Sequence, residues 1–379
     1  MATNTTWVEI SRQALKHNVQ LFQAMLRRSG STLMAVVKSN AYGHGISETA
    51  RITQALGVRW FGVADTKEAL FLRKEGIRSR ILVLSFIQRD LVAHALKSNI
   101  SLPVHDYSMA LIISRIAVRT RHKANIHIKI DTGTHRLGIA ATDALHIVQR
   151  ILKLPNINLE GFFTHFADSE NPDQQFTNKQ TAIFNSTIQE MKRNGIISKM
   201  CHAACSASTL LNRSSHMNLA RVGLSLYGLS PLEKEHLSIS HKLRPVLSWK
   251  TRIIQVKTVV KGDTIGYGRT FRVKHKMRIA TIAVGYWDGY DRKLSNTGRV
   301  LVHGAYAPLI GRVCMNVSMV DVTNITSCKA GDEVVLLGSP RRSKYASRGV
   351  TAGELARKIG TINYEVVTRI NPLLPRIIV

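Results

Sequence analysis

Cysteine is scarce in this chain of 379 residues: only Cys201, Cys205, Cys314 and Cys328 are present. Four thiols are too few to staple a chain of this length, which excludes a disulfide scaffold and fits a reducing compartment. Cys201 and Cys205 stand four apart, as half a metal site would. No second pair at metal-ligand spacing follows, so no metal is expected. Long apolar runs are also missing. None approaches the roughly 18 to 20 residues a membrane helix needs. The N-terminus, MATNTTWVEI, lacks the basic start and apolar block of an export signal. A cytoplasmic protein without a membrane partner is expected. There is no internal repeat and no low-complexity segment.

Acidic residues are the other shortage. Asp and Glu number 24 against 53 Lys and Arg, a net charge of 53 − 24 = +29. Such a balance raises nucleic acid as a partner, but the charge is spread. Residues 1–240 carry a net +13 and residues 241–379 a net +16. The densest cluster, Arg341, Arg342, Lys344 and Arg348, is too short for a tail, and no helix-turn-helix or Arg/aromatic interleaving accompanies it. Specific nucleic-acid binding is therefore not expected.

What is present is alternation. Eight short apolar runs punctuate the first two-thirds: Leu33–Val37, Trp60–Val63, Ile81–Leu84, Ser101–Val104, Asn125–Ile130, Leu159–Thr164, Lys199–Ala203 and Leu219–Leu224. Amphipathic stretches separate most of them. Ser11 reads as an N-cap with Leu15, Val19, Phe22 and Leu26 following at helical spacing, and Thr66 opens a helix that Gly76 ends. Eight strands alternating with helices predict an α/β fold, an N-terminal (β/α)8 barrel. Past residue 235 the texture turns to Val/Ile/Thr-rich segments such as SWKTRIIQVKTVV, RIATIAV, NVSMVDVT and DEVVLLG, with one helix around Thr351–Lys358. The expected division is a barrel over 1–240 and a mainly-β domain over 241–379. The first ten or so residues are candidates to pair with the second domain.

Barrel enzymes build their sites at the C-terminal ends of the strands. Lys38 follows the first run, in AVVKSNAYGHG. The fifth holds Lys129 and leads to Asp131 and Arg136, in KIDTGTHRLG. The sixth ends at His165, the seventh leads to Ser206, and the eighth holds Arg221 and reaches Gly223. A lysine ending an apolar strand is partly desolvated, which lowers its pKa, and a neutral amine can form a Schiff base with an aldehyde. Barrels often hold phosphate in the loops after strands seven and eight. Here those loops offer Ser206 and the Gly223–Leu224 backbone. Aldehyde capture plus a phosphate cup points to pyridoxal 5'-phosphate.

AVVKSNAYGHG resembles the cofactor-lysine segment of the alanine racemases. KIDTGTHRLG, THFADSE, HAACSAS, RVGLSLYGLSP, GYGRTF, VGYWDGYDR, GRVCMN and TINYEVVTRI follow in that family's order, from about residue 7 to the end. The resemblance implies a homodimer with shared active sites that interconverts L- and D-alanine, supplying D-alanine for peptidoglycan. It implies that Lys38 binds pyridoxal phosphate covalently and serves one face of the substrate. Tyr267, from the partner's second domain, would serve the other. Tyr42, Ser206, Gly223, Leu224 and Tyr364 would bind the phosphate. Arg221 would hydrogen-bond the pyridine nitrogen, and His165 would lie against the ring and orient Arg221. Arg136 and the Met315 main chain would hold the substrate carboxylate. Lys129, a position carbamylated in many members, would position Arg136, and Tyr286 would line the entrance. A tyrosine base needs a lowered pKa, and the Arg221 charge relayed through His165 would supply it.

Three positions depart from the family's commonest pattern. Cys205 stands where asparagine is usual, Asn316 where aspartate is, and Thr134–His135 where Met-Gly is. They put substrate size and turnover in question, not the chemistry. A broad-specificity amino-acid racemase of the same fold is the alternative reading.

Overall fold

The computed structural model describes residues 4–232, 242–339 and 349–379. The basic cluster of Arg341, Arg342, Lys344 and Arg348 lies outside the described residues. So does the expected domain boundary at 240/241. The chain forms two compact units: Leu15–Ala41 with Thr49–Arg244, and Met1–Ala14 with Tyr42–Glu48 and Pro245–Val379.

The first unit is a (β/α)8 barrel. The first strand of the chain, β1 (Thr6–Ile10), belongs to the other unit. The barrel strands are β2 (Thr32–Val36), β3 (Trp60–Asp65), β4 (Arg80–Phe86), β5 (Leu102–Val104), β6 (Ala124–Asp131), β7 (Ile157–Phe163), β8 (Met200–His202) and β9 (Leu219–Val222). All eight fall on the apolar runs. They pair in parallel from β9 through β2, β3 and β4, and from β5 through β6, β7 and β8. A Leu82–Ser101 bridge joins β4 to β5. Amides of Asn218 and Arg221 donating to the Cys201 and Ala204 carbonyls close the ring. Met34, Trp60, Leu82 and Leu219 form one buried cluster across four adjacent strands. Burying four such side chains contributes about 1.5–3 kcal/mol each.

Helix signals read well locally. Ser11 Oγ accepts the Ala14 amide. The helix after β3 spans Thr66–Lys74 and opens at Thr66, as expected. Asp65 is its N-cap, accepting the Glu68 amide at 2.9 Å.

The second unit is mainly β. Its longer strands are β1, β10 (Leu247–Val259), β11 (Met277–Ile282), β12 (Arg299–Val302), β13 (Ala305–Pro308), β14 (Ser318–Asp321), β15 (Glu333–Leu337) and β16 (Arg376–Ile378). The main sheet runs β13-β12-β15-β10-β1-β16, and β11 pairs with β10 and β14. β1 is antiparallel to β10 and parallel to β16. Buried Lys250 on β10 fixes this corner, reaching Glu9 at 3.0 Å and Glu333 at 2.8 Å. Two helices appear where the sequence suggested one: Ala352–Ile359 and Asn363–Thr368.

Tyr42–Glu48, assigned to the barrel from sequence, groups with the second unit. The cause is close packing. A Cβ on Gly43 would lie 2.0 Å from the Val367 carbonyl oxygen, so only glycine admits this approach. The Arg376 guanidinium also donates to the Gly43 carbonyl. No helix among the described residues is long and apolar enough to cross a membrane.

Candidate active site

The barrel supplies one group of side chains, all at or beyond the C-terminal strand ends. Lys38 is two residues past β2 and half-buried. Desolvation lowers its amine pKa, with the Arg136 charge adding to this and Glu68 opposing it. Directly after it Ser39, Asn40, Ala41 and Tyr42 all adopt positive φ, between 53° and 54°. A left-handed turn of non-glycine residues costs roughly 1–2 kcal/mol per residue, so something must hold it. Glu68 does: its Oε1 accepts the Ser39 amide at 2.6 Å and its Oε2 the Ala64 amide at 2.8 Å.

Lys129 is buried on β6, its Nζ over the Phe163 ring. Burial, then the Arg136, Arg221 and Lys38 charges, lower its pKa to about 8, against an opposing pull from Asp131. Asp131 Oδ1 gathers the amides of Gly133, Thr134 and His135 at 3.0–3.2 Å and so shapes the loop that carries exposed Arg136. Thr134 and His135 therefore serve this turn through their backbones. His165 follows β7. Burial and the Arg221, Arg136, Lys129 and Lys38 charges hold its imidazole well below the ordinary value, so it is neutral.

Arg221 on β9 is the most heavily bonded member. Its Nη1 donates to His202 Nδ1 at 2.8 Å and the His202 carbonyl at 3.0 Å. Its Nη2 lies 2.7 Å from the Thr164 carbonyl, 2.8 Å from that of Ala203, and 3.3 Å from His165 Nδ1. Burial lowers its pKa, yet a guanidinium keeps its proton at any working pH. All these bonds use Nη1 or Nη2, which leaves the Nε–H as the donor for a ligand.

The ends of β8 and β9 meet through Ser206. Its Oγ accepts the Gly223 amide at 3.0 Å and the Ser225 amide at 3.4 Å. The Ser225 hydroxyl is buried there without a hydrogen-bond partner. A buried hydroxyl without a partner beside this junction suits a small anion. Cys205 Sγ lies 3.0 Å from Ser169 Oγ.

The second unit holds the remaining residues. The Tyr42 and Tyr364 rings lie 6.2 Å apart. Tyr267 heads a 3-10 turn between Gly266 and Gly268, both at positive φ, and is 72% exposed. Tyr286 and Met315 come together because the Tyr286 amide donates to Cys314 and the Trp287 amide to Met315. Gly285 permits this clasp, since a Cβ there would lie 2.2 Å from the Cys314 oxygen. Tyr286 also lines a cavity of about 370 Å³ with Asp291, Arg292 and Arg369.

The barrel thus gathers Lys38, Lys129, Arg136, His165, Ser206, Arg221, Gly223 and Leu224 at its C-terminal end. The second unit pairs Tyr42 with Tyr364 and Tyr286 with Met315, and Tyr267 projects alone. Sequence reading missed Glu68 and His202. Glu68 carried no signal beyond being the first-turn acid of a helix. His202 could have been found, since it lies at the end of an apolar run as His165 does.

A (β/α)8 barrel with a desolvated lysine beyond its first strand, followed by a mainly-β domain, defines the architectural class. Residues 10–231 match the family model for the alanine racemase N-terminal domain and residues 246–378 that for the C-terminal domain. The chain is 37% identical over 378 residues to an alanine racemase of Methanococcus maripaludis, covering 100% of this chain and 99% of the relative. It is 41% identical over 361 residues to one from Syntrophobacter fumaroxidans, covering 95% and 94%. The solved alanine racemase of Clostridium difficile 630 superposes with a TM-score of 0.92 at 31% identity, covering 99% and 96%. That of Bacillus anthracis with bound L-Ala-P gives 0.89 at 33%, covering 99% and 95%. The chain belongs to the alanine racemase family.

Proposed function

We propose that this protein interconverts L-alanine and D-alanine in a two-base reaction with pyridoxal 5'-phosphate as cofactor. The observation that carries the reading is Lys38: a desolvated amine sharing one electrostatic neighbourhood with Arg136, Lys129, His165 and Arg221.

The residues present fit the cofactor. The Ser206 hydroxyl, which collects the Gly223 and Ser225 amides, and the unsatisfied Ser225 hydroxyl beside it match the needs of a phosphate. Lys38, with a lowered pKa, matches the need for a nucleophilic amine. The free Nε–H of Arg221 matches an unprotonated ring nitrogen, because the guanidinium can only donate. Bound pyridoxal phosphate supplies a ring that withdraws electrons from the substrate's Cα–H bond.

The chain's own residues do the rest. Lys38 Nζ accepts and returns the α-proton on one face, and Tyr267 Oη of a second subunit does so on the other. Arg221 stays protonated and therefore keeps the ring a weak electron sink, which favours reprotonation over side reactions. His165 accepts from Arg221 at Nδ1, so its Nε2–H is left to donate outward. Arg136 and the Met315 main chain hold the substrate carboxylate, and Lys129 positions Arg136. Tyr42, Tyr364, Gly223 and Leu224 complete the phosphate site, and Tyr286 lines the entrance. The protein would act as a cytoplasmic homodimer with shared sites, supplying D-alanine for peptidoglycan. Polarimetry with L- and D-alanine, before and after added pyridoxal phosphate, tests the reading. A loaded protein that turns over neither enantiomer contradicts it.

A further inference from the structure

The barrel interior holds a line of polar groups that the reaction as described does not use. It starts at Arg221, whose Nη1 donates to His202 Nδ1 at 2.8 Å. His202 Nε2 lies 2.9 Å from His127 Nδ1, and His127 Nε2 lies 3.1 Å from Glu160 Oε2. The carboxylate is completed by Arg80, 2.9 Å from Oε1, and by the Ser101 hydroxyl on Oε2. Both histidines have no solvent exposure, and Arg221 and Glu160 are buried.

The line is built rather than incidental. Phe163 stacks flat on His202 at 5.1 Å, and Trp60 meets His127 edge to face at 5.7 Å. Position 161 is glycine, and a Cβ there would lie 2.5 Å from His127 Nδ1. The β6–β7 ladder slips register between Ile126 and His127, the kind of bulge that re-aims a side chain. Among the described residues no carboxylate pairs directly with Arg221.

The two ends dictate everything between them. A guanidinium only donates and a carboxylate only accepts, while a neutral imidazole does one of each. His202 Nδ1 accepts from Arg221, so its proton is on Nε2. That proton goes to His127 Nδ1, so His127 is protonated on Nε2 and donates to Glu160. Both rings are neutral: burial comes first in lowering their pKa values, and the Arg221 charge adds to it. Glu160 is held ionised, its His127 and Ser101 hydrogen bonds outweighing its burial. Reversing either tautomer would set an N–H against an N–H.

We propose that Glu160 is a positioning residue of the active site: through His127 and His202, both in the Nε2–H tautomer, it supplies the counter-charge that fixes the rotation of Arg221 and leaves the Nε–H facing the cofactor. The proposal rests on Arg221 as the cofactor's partner. The test uses the full-length, cofactor-loaded protein labelled with 15N-histidine, read together with steady-state kinetics. In the unmutated protein both rings should give the neutral Nε2–H signature between pH 6 and 8. In Glu160→Gln, whose amide can donate to His127 as well as accept, the His127 end is no longer dictated; as Arg221 loses its fixed rotation, His127 and with it His202 should become tautomer mixtures. The kcat for alanine should fall about tenfold, equivalent to about 1.4 kcal/mol, with KM within twofold. An imidazolium or an Nδ1–H tautomer at either ring of the unmutated protein overturns the proposal, even if the variant fails to fold. So does a Glu160→Gln variant that changes one readout without the other, or neither. Correct tautomers in a loaded protein that does not racemise alanine would count against the proposed function and leave the relay standing.

Discussion

Glu68 accepts the backbone amide of Ser39 at 2.6 Å, so the helix after β3 holds the turn that follows Lys38. Burial raises the Glu68 carboxyl pKa, its bonds to the Ala64 and Ser39 amides notwithstanding. Glu68→Ala releases the exposed Ser39 amide and leaves the part-buried Ala64 amide without this partner, and the latter costs about 1–3 kcal/mol. The expected result is a lower urea midpoint and weaker retention of pyridoxal phosphate on titration of the cofactor-free protein. If both are unchanged, Glu68 does not hold the left-handed turn.

Lys38 is the expected point of covalent attachment. The loaded protein should be yellow, and borohydride should abolish its visible absorbance and leave the reduced cofactor on the peptide containing Lys38. A label on Lys129, the other barrel lysine with a lowered pKa, would reassign the nucleophile.

The barrel was legible because each of its strands is an apolar run flanked by turn residues, a pattern that survives without tertiary information. The placement of the candidate residues at strand ends, from Lys38 to Arg221, was legible for the same reason. What escaped were features fixed by long-range contacts. Tyr42–Glu48 joins the second unit because Gly43 packs on Val367, 324 positions away (367 − 43). β16 is three residues long and forms on β1 at the opposite end of the chain. The Asn363–Thr368 helix is one and a half turns, too short to show periodicity. His127 and Glu160 are inward-facing strand residues whose roles depend on partners from other strands.

Lys129 makes stability depend on pH. Its amine titrates at about 8 in the folded protein, against 10.5 for an ordinary lysine. Below about 8 both folded and unfolded chains carry the proton, and the fold bears the full penalty of a buried cation among Arg136, Arg221 and Lys38. Between about 8 and 10.5 the unfolded chain holds more protons, so stability rises with pH. In carbon dioxide-free buffer, Lys129→Gln should be more stable than the parent at pH 7, with the gap narrowing from pH 8 to 10.5. Urea unfolding across this range checks it. A variant that is less stable at pH 7, or a gap that stays constant, contradicts the linkage. Activity should fall as well, as the proposed role of Lys129 in positioning Arg136 requires.

Shared sites predict complementation. Lys38→Ala and Tyr267→Phe homodimers should each be nearly inactive. Heterodimers of the two place both lesions in one site and leave the other intact, so mixing should restore up to about half of the activity per heterodimer. Heterodimers that form, by native mass spectrometry, and remain inactive would show that Lys38 and Tyr267 do not act across subunits.

The central claim is that two bases serve opposite faces of alanine, and proton exchange in heavy water by Tyr267→Phe tests it most directly. With Lys38 and the cofactor retained, D-alanine should exchange its α-proton slowly and with retention of configuration. Racemisation in both directions should fall by ~10²–10⁴, the usual contribution of one acid–base group. Exchange of L-alanine instead of D-alanine would mean that the faces are reversed. Racemisation within tenfold of the unmutated enzyme would contradict the two-base account.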